Sequence, residues 1–106
     1  MNDSIPIEAQ QSLTSWGEAI SIARRRRRWS QENLALRMNT SLSTIRRMEE
    51  GNPGIGIGIW CSALWLLGML DRVDTAISPE QDLIGIGADL NELPKHRIIQ
   101  VPASMI

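Results

Sequence analysis

Eight arginines fall between residues 16 and 47: Arg24 to Arg28 in an unbroken run, then Arg37, Arg46 and Arg47, against only Glu18 and Glu32. A guanidinium is a permanently charged fork of N–H donors, and its natural counterparts are carboxylates and phosphates. The block carries +6 in a chain whose formal net charge is −1. Residues 1–15 carry −2, residues 48–70 carry −2, and residues 71–106 hold three basic groups against six acidic ones. A basic block between acidic flanks marks an anion-binding face, and the distribution says more than the total. Other reactive chemistry is scarce. Cys61 and His96 are each the single residue of their type, so neither an internal disulfide nor a zinc cluster is expected, and a reducing cytoplasm fits. His96 lies in a polar tail with no Ser, Cys or Asp constellation around it and is expected to be exposed and idle. No enzyme, cofactor or metal is expected. The N-terminus shows no basic-then-apolar signal pattern.

An arginine run acts on a partner only if something holds it. Leu13, Trp16, Ile20 and Ala23 recur at helical spacing and predict a first helix with that face buried, after a polar, frayed segment 1–12. The next position on the stripe is Arg27, so the helix should end near it. Successive residues turn by about 100°, so the five arginines sweep past a full circle. Arg25, Arg26 and Arg28 should reach solvent, while Arg24 lies beside the buried face and needs a partner. Cations also suit the last turn of a helix, against its negative end, which accounts for part of the run but does not require five.

Ser30 and Ser41 then read as N-caps of two short helices. The first buries Leu34, Ala35 and Met38; the second buries Ile45 and Met48 and closes at Gly51. The tight polar break at Asn39-Thr40 gives the spacing of a helix-turn-helix. "GNPGIGIG" after it reads as a loop, since no strand precedes it and no phosphate-binding glycine pattern occurs. Residues 51–70 carry no charge, but Pro53 and the glycines confine a helix to Ile57–Leu70. That is roughly 21 Å at about 1.5 Å per residue, short of a bilayer core of about 30 Å, so a buried helix and no membrane are expected. Met69–Ile77 predicts a further short helix, Pro79–Leu93 a weak one interrupted by glycines, and "RIIQV" (97–101) a short strand. The expected fold class is all-α: a five-helix domain over 13–78 followed by an extended tail, 79–106, available for partner docking.

The stretch "WGEAISIARRRRRWSQENLALRMNTSLSTIRRMEEGNPG" resembles the Xre family, the helix-turn-helix of phage-type repressors. The pattern is carried by Arg24, Ser30-Gln31, Leu34-Ala35, Ser41, Ile45, Met48-Glu49 and Gly51, and the likeness covers about residues 13–70. Asn39 stands where the family usually has Gly, and still tolerates a left-handed backbone; Thr40 replaces an apolar residue beside it. The downstream "GNPGIGIGIWCSALWLLGMLDRV" and "DLIGIGADLNELPKHRI" resemble a narrower subgroup, the HipB-like antitoxins encoded beside HipA-like kinase toxins. This implies an autoregulatory repressor that also binds and neutralises such a toxin. It also implies a tie between Arg24 and Glu49, joining the first helix to the third.

In such a fold the third helix enters the major groove with its first residues at base edges. Leu42, Ser43, Thr44 and Arg47 are the expected readers, Arg47 as a bidentate guanine contact and Leu42 against a thymine methyl. Ser41 and Arg46 fall near the backbone. Gln31 at the second helix's N-terminus and Asn52 are expected on phosphates, and Arg25, Arg26 and Arg28 add sequence-independent attraction. The bland alternative is a solvated helix face. An apolar helix in so small a domain cannot hide its whole circumference, so a homodimer on a palindromic operator is expected, with Trp60, Trp65 and Leu66 as contact candidates and a cytoplasmic, nucleoid-associated location. Two other readings stay open: a stand-alone phage-type regulator, and a protein-interaction module working through helix 57–70.

Overall fold

A computed structural model describes residues 4–92, and all of its regular structure is helical. The chain divides into two units, Met1–Leu70 and Asp71–Ile106. In the first, α1 (Ile7–Arg26), α2 (Gln31–Met38), α3 (Leu42–Glu49) and α4 (Ile57–Leu66) close around Ile20, Leu34, Ile45 and Met48, each essentially sealed from solvent, with Trp60, Ala63 and Leu67 beside them. The second holds most of α5 (Leu70–Ala76), a 3-10 turn (Pro79–Gln81) and α6 (Leu83–Glu92). The expected strand at 97–101 and His96 lie outside the described residues.

Ser30 and Ser41 cap α2 and α3, their hydroxyls accepting from Asn33 N at 3.0 Å and Thr44 N at 3.1 Å. Four helices end alike, with a left-handed residue followed by an amide that reaches back to the last turn. The left-handed residues are Arg28, Asn39, Gly51 and Gly68, with φ of 62°, 54°, 78° and 77°. The returning bonds are Trp29 N to Arg24 O, Thr40 N to Ala35 O, Asn52 N to Arg47 O and Met69 N to Leu64 O. Asn39 thus performs the tight α2–α3 turn in place of Gly.

Two expectations about α1 are corrected. The helix begins at Ile7 rather than after a frayed segment 1–12, because its first turns are anchored by a hydrogen bond instead of an apolar stripe: Gln10 Nε2 donates to Gly51 O at 2.9 Å. Trp16 is 56% exposed rather than buried. The inward place belongs to Gly17, where a Cβ would stand 2.5 Å from Glu49 O and 2.6 Å from Met48 O. Backbones this close leave no room for an indole, which turns outward and meets Trp60 edge-on at 6.2 Å. The glycine-interrupted helix expected over Pro79–Leu93 is present as a 3-10 turn and α6, so the segment called a tail is helical over 79–92.

Candidate nucleic-acid interface

The helix pair is fixed by one carboxylate. Glu49, at the end of α3, accepts Arg24 Nε at 2.7 Å on Oε2 and Arg24 Nη2 at 3.0 Å on Oε1. Gln31 Nε2, from the first residue of α2, donates to Oε1 at 3.0 Å. Arg24 Nη1 donates to Trp29 O at 2.8 Å, on the link into α2. The side chains of Arg24 and Glu49 are only 10% and 5% exposed, and no buried side-chain N or O among the described residues lacks a partner. Three helices therefore meet at a desolvated, fully bonded ion pair. Such a pair fixes geometry more than it stabilises, but removing one member strands the other charge.

This contact changes the role available to Gln31. One N–H of its amide is committed to Glu49, so α2 offers a phosphate mainly its free backbone N–H groups at the N-terminus. Asn52 differs: its Oδ1 accepts Gly54 N at 2.7 Å, which orients the amide and leaves its N–H donors unengaged. The hydroxyls of Ser41, expected near the backbone, and Thr44, an expected reader, hydrogen-bond each other at 2.9 Å. Leu42 is half-buried rather than exposed. Ser43, Arg46 and Arg47 remain exposed together on the α3 face opposite Ile45 and Met48. Arg25, Arg26 and Arg28 are exposed at the end of α1.

Three arginines outside that exposed set serve the framework. Besides Arg24, Arg27 bridges two helix ends, donating from Nη1 to Ala23 O at 2.8 Å and from Nη2 to Leu67 O at 2.9 Å. Sequence reasoning gave Arg27 no role, although its place on the buried stripe of α1 was the available signal. Arg37 stacks on the Trp29 ring at 4.0 Å. This cation–π contact was not foreseen either; nothing in the periodicity marks it.

Of the expected dimer contacts, Trp60 is a correction: it is 6% exposed and belongs to the core. Leu66 is half-buried against that core, while Trp65 is 70% exposed. No helix of the described residues is long and apolar enough to cross a membrane, and no three of their His, Cys, Asp or Glu side chains are grouped to hold a metal ion. Comparison with protein-family models, with curated proteins and with solved structures finds no match for this chain.

Proposed function

We propose that the protein is a sequence-specific DNA-binding repressor, acting as a homodimer on a two-fold operator, and that it is an autoregulatory antitoxin of a kinase-like toxin. The observation that carries the DNA reading is the exposed face of α3. Ser43, Arg46 and Arg47 stand free on a short helix that is capped at Ser41 and clamped to α1 and α2 through Glu49. A reading helix must be held rigidly while its outward side chains stay unpaired, because base-edge contacts discriminate only from a fixed register. The exposed Arg25, Arg26 and Arg28 supply the phosphate attraction that gives such a protein its affinity. The toxin reading rests on residues 71–92, where six acidic groups stand against one arginine and exposed apolar side chains have no core of their own; no catalytic or cofactor role is assigned to any residue.

Binding of operator and scrambled duplex at two salt concentrations is the deciding experiment. Arg47→Ala should weaken operator binding by about 1–3 kcal/mol and relax preference at one base pair. An unchanged operator-to-scrambled ratio would remove α3 as the reader.

A further inference from the structure

Arg37 is exposed, yet its side chain is held in place. Its guanidinium lies over the Trp29 ring, 4.0 Å from the centroid, well inside the range of about 6 Å at which a cation is attracted to an aromatic face. Its Nε donates to Asn33 Oδ1. Positions 29, 33 and 37 follow at i, i+4, i+8, and helical side chains lean toward the N-terminus. Arg37, near the end of α2, therefore carries its charge back over Asn33 to the ring that precedes the Ser30 cap. That ring is a firm support. Trp29 is half-buried against the core, and its carbonyl accepts Arg24 Nη1. The stack occupies one face of the Arg37 guanidinium and Asn33 occupies Nε, while Nη1 and Nη2 make no hydrogen bond or ion pair among the described residues. Glu32, the acid on the same helix, lies five positions away, about 140° around the axis.

A guanidinium fixed by its face and its Nε, and open at both terminal nitrogens, is a preformed fork. Its parallel N–H donors match two oxygens of a phosphate or a carboxylate. A side chain already ordered also gives up less freedom on binding than one that swings free. Position selects between the two anions. Trp29 directly follows Arg28, so the fork is delivered to the corner where α1 ends in the exposed Arg25, Arg26 and Arg28. Arg27, 6.0 Å from the same ring, is engaged by Ala23 O and Leu67 O. The other four arginines have no carboxylate partner among the described residues, and such a corner suits a polyanion with regularly repeated charges better than a single acidic side chain. We infer that Arg37 is a DNA-phosphate contact made by α2 outside the arginine run, with Trp29 as its platform and Asn33 as a positioning residue. It contributes affinity and register rather than base preference, because phosphate oxygens carry no sequence.

The inference rests on the DNA reading proposed above and adds to it a residue that the α3 face does not contain. Affinity of the full chain for operator and scrambled duplex, measured at about 50 and 200 mM salt, tests it. One phosphate contact contributes about 0.9 to the slope of log affinity against log salt. The fourfold rise in salt should therefore weaken Arg37→Ala about 3.5-fold less than the wild type on both duplexes, with the operator-to-scrambled ratio unchanged. Arg37→Lys keeps the charge without the fork, so it should restore the slope and still bind less tightly than the wild type. Asn33→Ala leaves the Ser30 cap intact, because that bond uses the backbone N–H, and should also lose affinity at an unchanged slope. An Arg37→Ala slope equal to that of the wild type overturns the inference, and so does an Arg37→Lys slope as low as that of Arg37→Ala. An unchanged slope with a weakened hold on the proposed toxin overturns it too, and moves the fork to a carboxylate. A wild type with no salt-dependent binding to any duplex overturns the DNA reading itself. A slope that drops in Arg25→Ala but not in Arg37→Ala overturns this contact alone.

Discussion

Residues 7–67 wrap four helices around ten buried apolar side chains, whereas from Asp71 to Asn91 no side chain is buried at all. Both regions are helical, so the difference lies in what sustains the helices. In the first, caps, left-handed closures and a bonded ion pair all support one packing. In the second, α5 spans seven residues and α6 ten, the latter containing Gly85 and Gly87. Helices shorter than about 12–15 residues are marginal alone in water, and each internal glycine costs about 1 kcal/mol against alanine. Leu83 and Ile84 on α6 are 71% and 90% exposed. A segment of this kind would gain stability from a surface it binds, which is the ground on which partner docking is proposed for it and DNA reading for the other.

Truncation tests that division most severely. Deleting residues 79–106 should remove binding to the proposed kinase-like toxin, while operator binding and the thermal midpoint of the remaining domain stay unchanged. The reverse outcome, with DNA binding lost and partner binding kept, would exchange the two assignments.

Within the first region, Arg24→Ala leaves Glu49 charged and desolvated with only Gln31 to answer it. We expect a loss of about 3–5 kcal/mol in denaturant unfolding followed by circular dichroism. That is a large fraction of the roughly 5–15 kcal/mol by which domains are stable. A loss below about 1 kcal/mol would show that the pair is solvated and the clamp weak.

The parts legible in the sequence are those written in local chemistry. Ser30 and Ser41 announce helix starts, Gly51 and Asn39 announce left-handed closures, and Leu34, Ile45 and Met48 fall on helical spacing. What periodicity cannot carry is a contact to a distant backbone. Gln10 finds Gly51 O across 41 positions and Arg27 finds Leu67 O across 40, and neither bond leaves a local trace. Trp16 and Trp60 were misjudged for a related reason. An apolar helix face gives no sign of which tryptophan the core admits until Gly17 brings α1 against α3. The candidate site divides in the same way: the exposed arginines and the Ser41–Thr44 pair follow from helix and cap geometry, whereas the bond of Gln31 to Glu49 spans 18 positions and leaves no local trace.

A smaller effect sharpens the contrast among the arginines themselves. Arg25→Ala should leave stability unchanged within about 0.5 kcal/mol. It should weaken operator and random duplex by similar factors and lower the slope of log affinity against log salt by about one unit. Loss on the operator alone would instead make Arg25 a base reader.

Arg28 gives the finest test, because its backbone and its charge pull in opposite directions. It holds φ of 62°, a conformation that glycine adopts freely and other residues adopt at a cost of roughly 1–2 kcal/mol. At Gly51 and Gly68, two equivalent helix ends, glycine occupies that place. Arg28→Gly therefore relieves the strain, partly offset by the greater freedom of glycine in the unfolded chain. The net expectation is a gain of about 0.5–1 kcal/mol in unfolding free energy. The same substitution removes an exposed positive charge beside Arg25 and Arg26, so affinity for any duplex should fall and the salt slope should drop by about one unit. Arg28→Ala keeps most of the strain and loses the charge, and should lower duplex affinity with no gain in stability. If Arg28→Gly is more stable and binds DNA as well as the wild type, the side chain contributes no phosphate contact and the opening of the run toward DNA rests on Arg25 and Arg26 alone.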